Sequence, residues 1–192
     1  MRPGGGRAKG HAFERQVAKL IIKAFARFGI KKVDCYRTPL SGGHRFACKK
    51  QPGDLVISAR LAKLFPFCVE CKNNERWEMW HFVSGLQEDS IESKWLRQAL
   101  AETTGKRHPL LVFKKNNIPA FCALRLHDLH SVPLLLPMRL LQSKAFLEFE
   151  YDSSPWRVLE FEKFLASYTR GSARQGGPNE QTYQSRCKRI PA

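Results

Sequence analysis

The sequence predicts an α/β domain with one mixed central sheet and a C-terminal extension. Three observations carry this expectation. The patterned segments run helix, three strands, helix, two strands. The first helix gathers its apolar residues into one stripe. At 192 residues and 43% hydrophobic, the chain is large enough to bury a core of its own.

Residues 1–10, "MRPGGGRAKG", are rich in glycine and positive charge and read as a basic flexible arm. From His11 to Phe28 the pattern turns helical. Phe13, Val17, Leu20, Ile21, Ala24, Phe25 and Phe28 share a face, and Gly29 is the stop. "KKVDCYRT" reads as a short strand and "PLSGGHRFACKKQPG" as a basic, glycine-rich loop. "DLVIS" and "LFPFCVECK" are the next two strands, connected through "ARLAK". Residues 73–90 read as irregular, with Trp77, Trp80 and Phe82 packed against the edge of the core. In "SIESKWLRQALAETTG", Ile91, Trp95, Leu96, Ala99 and Leu100 share a helical face that ends at Gly105. "HPLLVFKK" and "AFCALRL" are two further strands around the turn-prone "NNIP", closing a core over residues 11–126. Beyond it, "AFLEFEY" reads as a strand. "SSPWRVLEFEKFLASY" reads as a helix with a serine cap and a proline in its first turn. Residues 127–169 are therefore expected to pack on or beside the core, and 170–192 to be a basic, disordered tail.

Lysine and arginine number 33 against 17 acidic residues, a formal charge of +16. A field of that sign attracts polyanions, of which nucleic acid is the commonest, though a basic protein charged for solubility has the same composition. The six cysteines lack the even spacing of a disulfide framework and several sit in apolar strands, as expected of reduced thiols in an intracellular protein. Cys68 and Cys71 form a C-x-x-C, but no second pair follows and the two face opposite sides of a strand, which argues against zinc. His127 and His130 read as part of a surface turn. The first ten residues lack the apolar segment of a secretory signal, and no apolar run reaches the roughly 18 residues of a membrane span. The expectation is a soluble protein of the cytoplasm or nucleoid, or of a viral replication compartment, and not a secreted one.

The strand "FPFCVECKNN" places Glu70 and Lys72 two residues apart, hence on one face. If the connection before it turns near Ala62, Asp54 falls directly opposite Glu70, with Cβ atoms about 4.5–5.5 Å apart. Two carboxylates so close repel unless a cation lies between them, and Mg²⁺ prefers carboxylate and water oxygens. Lys72, about 6–7 Å along the strand, would then meet a phosphate or an activated water. A cross-strand salt bridge on a solvated sheet face is the competing reading, and a register slip of one residue would turn Asp54 to the other face. Glu14 stands about 100° around the first helix from Phe13, on the rim of its apolar stripe.

The order of these groups resembles the PD-(D/E)xK nuclease superfamily. "PGD" at 52–54 is similar to its PD motif, "ECK" at 70–72 to its ExK, and Glu14 in "HAFERQ" to its first-helix acid. "FERQVAKLI", "YRTPLSGG", "GDLV", "VECK" and "RQAL…HPLLVFKK" follow the order seen in archaeal-type Holliday junction resolvases, over roughly residues 10–125. The resemblance implies a restriction-endonuclease-like αβββαβ core. It implies Asp54 and Glu70 as ligands of Mg²⁺ or Mn²⁺, with the Cys71 backbone carbonyl as a third and Glu14 as an additional acid. Lys72 would be the catalytic lysine. Ser41 would lie near the cleaved strand or be a turn serine, and Gln98 would be a polar site residue or a helix-surface amide. Arg37, His44, Arg45, Lys49, Lys50, Lys114 and Lys115 are the candidate DNA contacts, which would position the backbone without reading sequence. Pro52 is set apart from Asp54 by a glycine, and residues 127–192 have no counterpart in the compact resolvases.

The functional expectation is a metal-dependent endodeoxyribonuclease acting on branched DNA, most of all a Holliday junction, as a homodimer. Two alternatives stand beside it: another nuclease of the same fold acting on duplex or flapped DNA, and a non-catalytic nucleic-acid-binding protein.

Overall fold

The computed structural model describes residues 5–39, 52–131 and 146–173. Helix α1 (Gly5–Phe25) leads into a short antiparallel pair, β1 (Cys35–Arg37) and β2 (Leu55–Ile57). Helix α2 (Ala59–Leu64) connects them to β3 (Phe67–Asn73). Helices α3 (Met79–Ser84) and α4 (Ile91–Glu102) then cross to β4 (His108–Lys114), which runs parallel to β3. The chain continues through β5 (Phe121–Arg125), α5 (Leu126–Ser131), the hairpin β6 (Leu147–Tyr151) and β7 (Ser154–Glu160), and α6 (Phe161–Ala173). The main sheet is five-stranded, in the order β3-β4-β5-β7-β6, and is mixed because only its β3–β4 pair is parallel. This is the α/β class with a mixed central sheet that the segment order predicts. The first three strands are not one ladder, however: β1 and β2 pair with each other and lie against the outer edge of β3.

Both faces of the sheet are buried, which is why its strands are nearly continuous apolar runs. On one face α1 and α6 cover Phe67, Val69, Cys71, Leu110, Val112 and Leu124. On the other, Trp77, Phe82, Trp95 and Leu96 from α3, α4 and the approach to α3 cover Leu111, Phe113, Ala123 and Trp156. Alternation along β3 sends Phe67, Val69 and Cys71 toward α1, and Cys68, Glu70 and Lys72 toward α4.

Several elements differ from expectation. Helix α1 begins at Gly5, so most of the stretch read as a flexible arm is helical. Residues 73–90 contain α3, where Trp77 and Phe82 are buried but Trp80 is 68% exposed. His127 and His130 lie on α5 rather than in a turn. The largest difference is residues 154–160, read as a helix and observed as β7. Asp152 and Ser153 both have positive φ (52° each), the geometry of a two-residue type I′ hairpin turn, so the serine that looked like a helix cap turns a hairpin. Pro155 precedes Trp156, the first β7 residue paired with β5, and so removes no bond from that ladder. The helical period starts only at Phe161, continuing through Phe164, Leu165 and Tyr168. That helix includes residues 170–173 of the expected tail, and residues 174–192 lie outside the described ones.

The extension is thus woven into the core, since β7 lies between β5 and β6 and α6 packs on α1. Tyr168 is fully buried among Phe25, Phe65, Phe67 and Phe164, with ring centroids 5.6–5.9 Å away, and its hydroxyl donates to the Leu64 carbonyl at 2.8 Å. Urea unfolding of Tyr168→Ala is therefore expected to show a loss of about 3–5 kcal/mol, against about 1 kcal/mol for Tyr168→Phe, which keeps the ring and gives up the bond to Leu64. A chain cut after Leu126 should not unfold cooperatively.

Candidate active site

Gly53 brings the second strand into contact with the third. Its φ of +79° is a left-handed conformation open to glycine, and a Cβ there would lie 2.6 Å from the Val69 carbonyl oxygen. The close approach lets the Asp54 N–H donate to that same carbonyl at 2.9 Å, while the Asp54 carboxylate accepts from the Cys71 N–H at 2.9 Å. Asp54 therefore flanks Glu70 on both sides of its backbone. The sequence argument reached this proximity through a tight hairpin; the structure reaches it with α2 in the connection and a backbone bridge in place of a ladder. Thr38 secures the other side, its N–H donating to the Asp54 carbonyl (2.8 Å) and its hydroxyl to the Gly53 carbonyl (3.1 Å).

Glu70 is 1% exposed. The Lys72 ammonium lies 2.5 Å from its Oε1 but outside hydrogen-bond geometry, so both buried Glu70 oxygens lack a hydrogen bond among the described residues. Lys72 donates instead to Gln98 Oε1 at 2.8 Å, and Gln98 Nε2 donates to Glu102 Oε1 at 2.8 Å. Gln98 thus reaches the Lys72 ammonium from the facing helix. The Glu70–Lys72 ion pair runs along one strand with its acid buried, not across strands on a solvated face as the competing reading has it, and it does not account for Asp54. Glu14, buried on α1, accepts from Arg37 Nε at 2.5 Å, which ties α1 to β1.

Burial raises the Asp54 carboxyl to about 6, and the charges of Glu14 and Glu102 push in the same direction while the Cys71 N–H and Lys72 oppose it. Burial also raises Glu70, to about 8, with the charge of Asp54 adding to it and Lys72 opposing. Among the described residues, Glu14, Asp54, Glu70 and Glu102 gather into an acidic locus against which Arg37 and Lys72 are set. In a chain of net charge +16, that clustering of acids is local. No group of three His, Cys, Asp or Glu side chains among the described residues makes a metal site by itself. Two crowded carboxyls, Glu70 with both oxygens buried and unbonded among the described residues, nevertheless fit a divalent cation whose other ligands are backbone oxygen and water. The Cys71 thiol cannot contribute, because burial holds it protonated and it faces the α1 side of the core.

The remaining candidates fall elsewhere. Lys114 sits over the Phe13 ring at 5.8 Å. Lys115 donates to the Trp77 carbonyl (3.3 Å) and to Glu78 (3.2 Å), so its ammonium is already engaged. Ser41, His44, Arg45, Lys49 and Lys50 lie outside the described residues. Glu102 was missed by sequence reasoning. Its signal was its position four residues after Gln98, hence on the same helical face.

Two outcomes follow. Gly53→Ala should destabilise the protein by more than about 1 kcal/mol and impair Asp54-dependent function, as read by thermal melting beside the functional assay. The two raised carboxyls hold more protons in the folded than in the unfolded chain, where they titrate near the ordinary range of about 4. Their contribution to stability is therefore complete below that range and is lost as pH rises through about 6 and then about 8. The metal-free protein should melt at lower temperature at alkaline than at mildly acidic pH, a fall that the Asp54→Asn, Glu70→Gln double variant largely removes. Mg²⁺ should raise the melting temperature more on the alkaline side.

Residues 5–172 match the model of a protein family described as "Phage putative PDDEXK endonuclease". No curated protein and no solved structure matches the chain.

Proposed function

Because the chain belongs to this family of PD-(D/E)xK endonucleases, a nuclease acting on DNA, we propose that it hydrolyses phosphodiester bonds at branched DNA with Mg²⁺ or Mn²⁺. The observation that carries the metal is the crowding of the Asp54 and Glu70 carboxyls, with both Glu70 oxygens buried and without a hydrogen bond among the described residues. Asp54, Glu70 and the Cys71 carbonyl would hold the cation, with Glu14 as an outer acid kept in place by Arg37. When bound, it would act as a Lewis acid toward the phosphate and lower the pKa of a bound water. Lys72 would orient the nucleophilic water and stabilise the negative charge that develops on the phosphoryl oxygens. Gln98, by accepting from the ammonium, would keep it aimed. Hydrolysis of this kind needs positioning and charge more than covalent help from the protein. Among the described residues no helix is long and apolar enough to cross a membrane.

The junction preference rests on the run "FERQVAKLI", "YRTPLSGG", "GDLV", "VECK" and "RQAL". A homodimer related by a two-fold axis would place two such sites on paired strands of a four-way junction. The net charge of +16 would supply a sequence-independent attraction to the arms.

End-labelled four-way junction, flap and linear duplex DNA, each with Mg²⁺ or with EDTA, test the proposal. Wild type should make metal-dependent paired nicks near the junction. Glu70→Ala should lower the rate at least about a hundredfold while retaining binding in a gel shift. Equal cutting of linear duplex would keep the nuclease and reject junction selectivity. No cutting of any substrate would make the Asp54–Glu70–Lys72 face a structural salt bridge in a DNA-binding protein.

A further inference from the structure

Behind Lys72 stands a short polar relay ending in a residue of no assigned role. The ammonium donates to Gln98 Oε1, and Gln98 Nε2 donates to Glu102 Oε1, each at 2.8 Å. An ammonium has only donors and an ionised carboxylate only acceptors. The amide between them therefore has one satisfied orientation, carbonyl toward Lys72 and NH₂ toward Glu102. Turned over, it would set donor against donor on one side and acceptor against acceptor on the other. We propose that Glu102 is a positioning residue of the site: it locks the Gln98 amide and so holds the Lys72 ammonium in its working place, a role that rests on the nuclease reading above.

The need for such a lock follows from Lys72 itself. A lysine is a point charge on a flexible four-carbon stem, free to rotate about its donors. On β3 its ammonium already lies against Glu70, which alone would draw it down the strand. Gln98 is the contact from the facing helix that opposes this, and without Glu102 its amide would be held only by the ammonium it has to hold.

Two further features favour the placement. Glu102 is the last residue of α4, where a negative charge is unfavourable against the helix dipole, and the last turn carries no basic residue to offset it. The residue is therefore poorly chosen for the helix and well chosen for the amide. Its backbone carbonyl also faces the Cys68 thiol at 3.8 Å, which joins the end of α4 to the strand carrying Glu70 and Lys72.

The test compares E102A, E102K and E102Q in the full chain. E102A removes the acceptor and should lower kcat by about ten- to a hundredfold with KM little changed. E102K presents a donor to the amide, favours the turned-over Gln98 and should lose most. Its added positive charge should leave DNA affinity no weaker, a split of kcat from binding that general destabilisation would not produce. E102Q keeps an acceptor oxygen and should restore most of the loss. A readout independent of cleavage is the side-chain amide ¹H–¹⁵N pair of Gln98 in the metal-free protein, assigned by its disappearance in Q98A. It should move in E102A and stay near its wild-type position in E102Q. An unmoved pair in E102A, or wild-type kcat in a folded E102K, overturns the proposal. Should wild type cleave no DNA, the nuclease reading fails, and the amide signals still decide whether the lock exists. Should E102K not fold, E102A and the amide signals carry the decision.

Discussion

Asp54 is fastened to the outer edge of β3 at two points, and the candidate site exists because of that attachment. Its N–H reaches the Val69 carbonyl and its carboxylate takes the Cys71 N–H. A strand at the end of a sheet presents unpaired donors and acceptors, and proteins cover such edges. Here the covering element is also the one that delivers an acid. Gly53 makes the approach possible, and Thr38 holds the bridge from behind. Satisfying an exposed edge and assembling a pair of carboxylates are one structural event.

That event leaves the site electrostatically unfinished. Glu70 is buried, neither of its oxygens has a hydrogen bond among the described residues, and its ion pair with Lys72 offsets only part of the cost. Burial, with the repulsion between the two carboxyls adding at Glu70, favours holding protons, which is what the raised Asp54 and Glu70 carboxyls express. Asp54 offsets its burial by satisfying the edge of β3, but among the described residues the buried Glu70 oxygens gain no hydrogen bond that would offset theirs. Such a placement is characteristic of a site built for a bound group.

The sheet supplies the rigidity that this arrangement requires. Strand β3 is gripped by α1 on one face and α4 on the other, so Glu70, Lys72 and Gln98 are carried by packed elements rather than loops. The extension contributes as well. Strand β7 completes the sheet, and Tyr168 from α6 closes the aromatic cluster under Phe65 and Phe67, at the start of the strand that bears Glu70 and Lys72. Residues far along the chain are thus part of the platform beneath the site, in keeping with a family match that reaches residue 172.

The sequence by itself determined the class of fold, the main helices and the shared face of Glu70 and Lys72, because each is written in a local period or a short spacing, whereas the meeting of Asp54 with Glu70 depends on α2 and the backbone bridge at Gly53. The apolar stripe of α1 and the two-residue spacing of Glu70 and Lys72 need no distant contact to be read. It misread residues 154–160, where the Ser-Ser-Pro run has the composition of a helix start and only pairing with β5 and β6 makes it a strand. Strand preference is largely a matter of what lies alongside, and that is non-local. Tertiary structure likewise decided that Arg37 pairs with Glu14, that Lys115 is occupied by Glu78, and that Glu102 stands behind Gln98 and Lys72. The identity of a charged residue is visible in a sequence. Which opposite charge it meets depends on how separate elements pack, and here the partners lie as far as 66 positions apart, as Lys9 and Glu75 do.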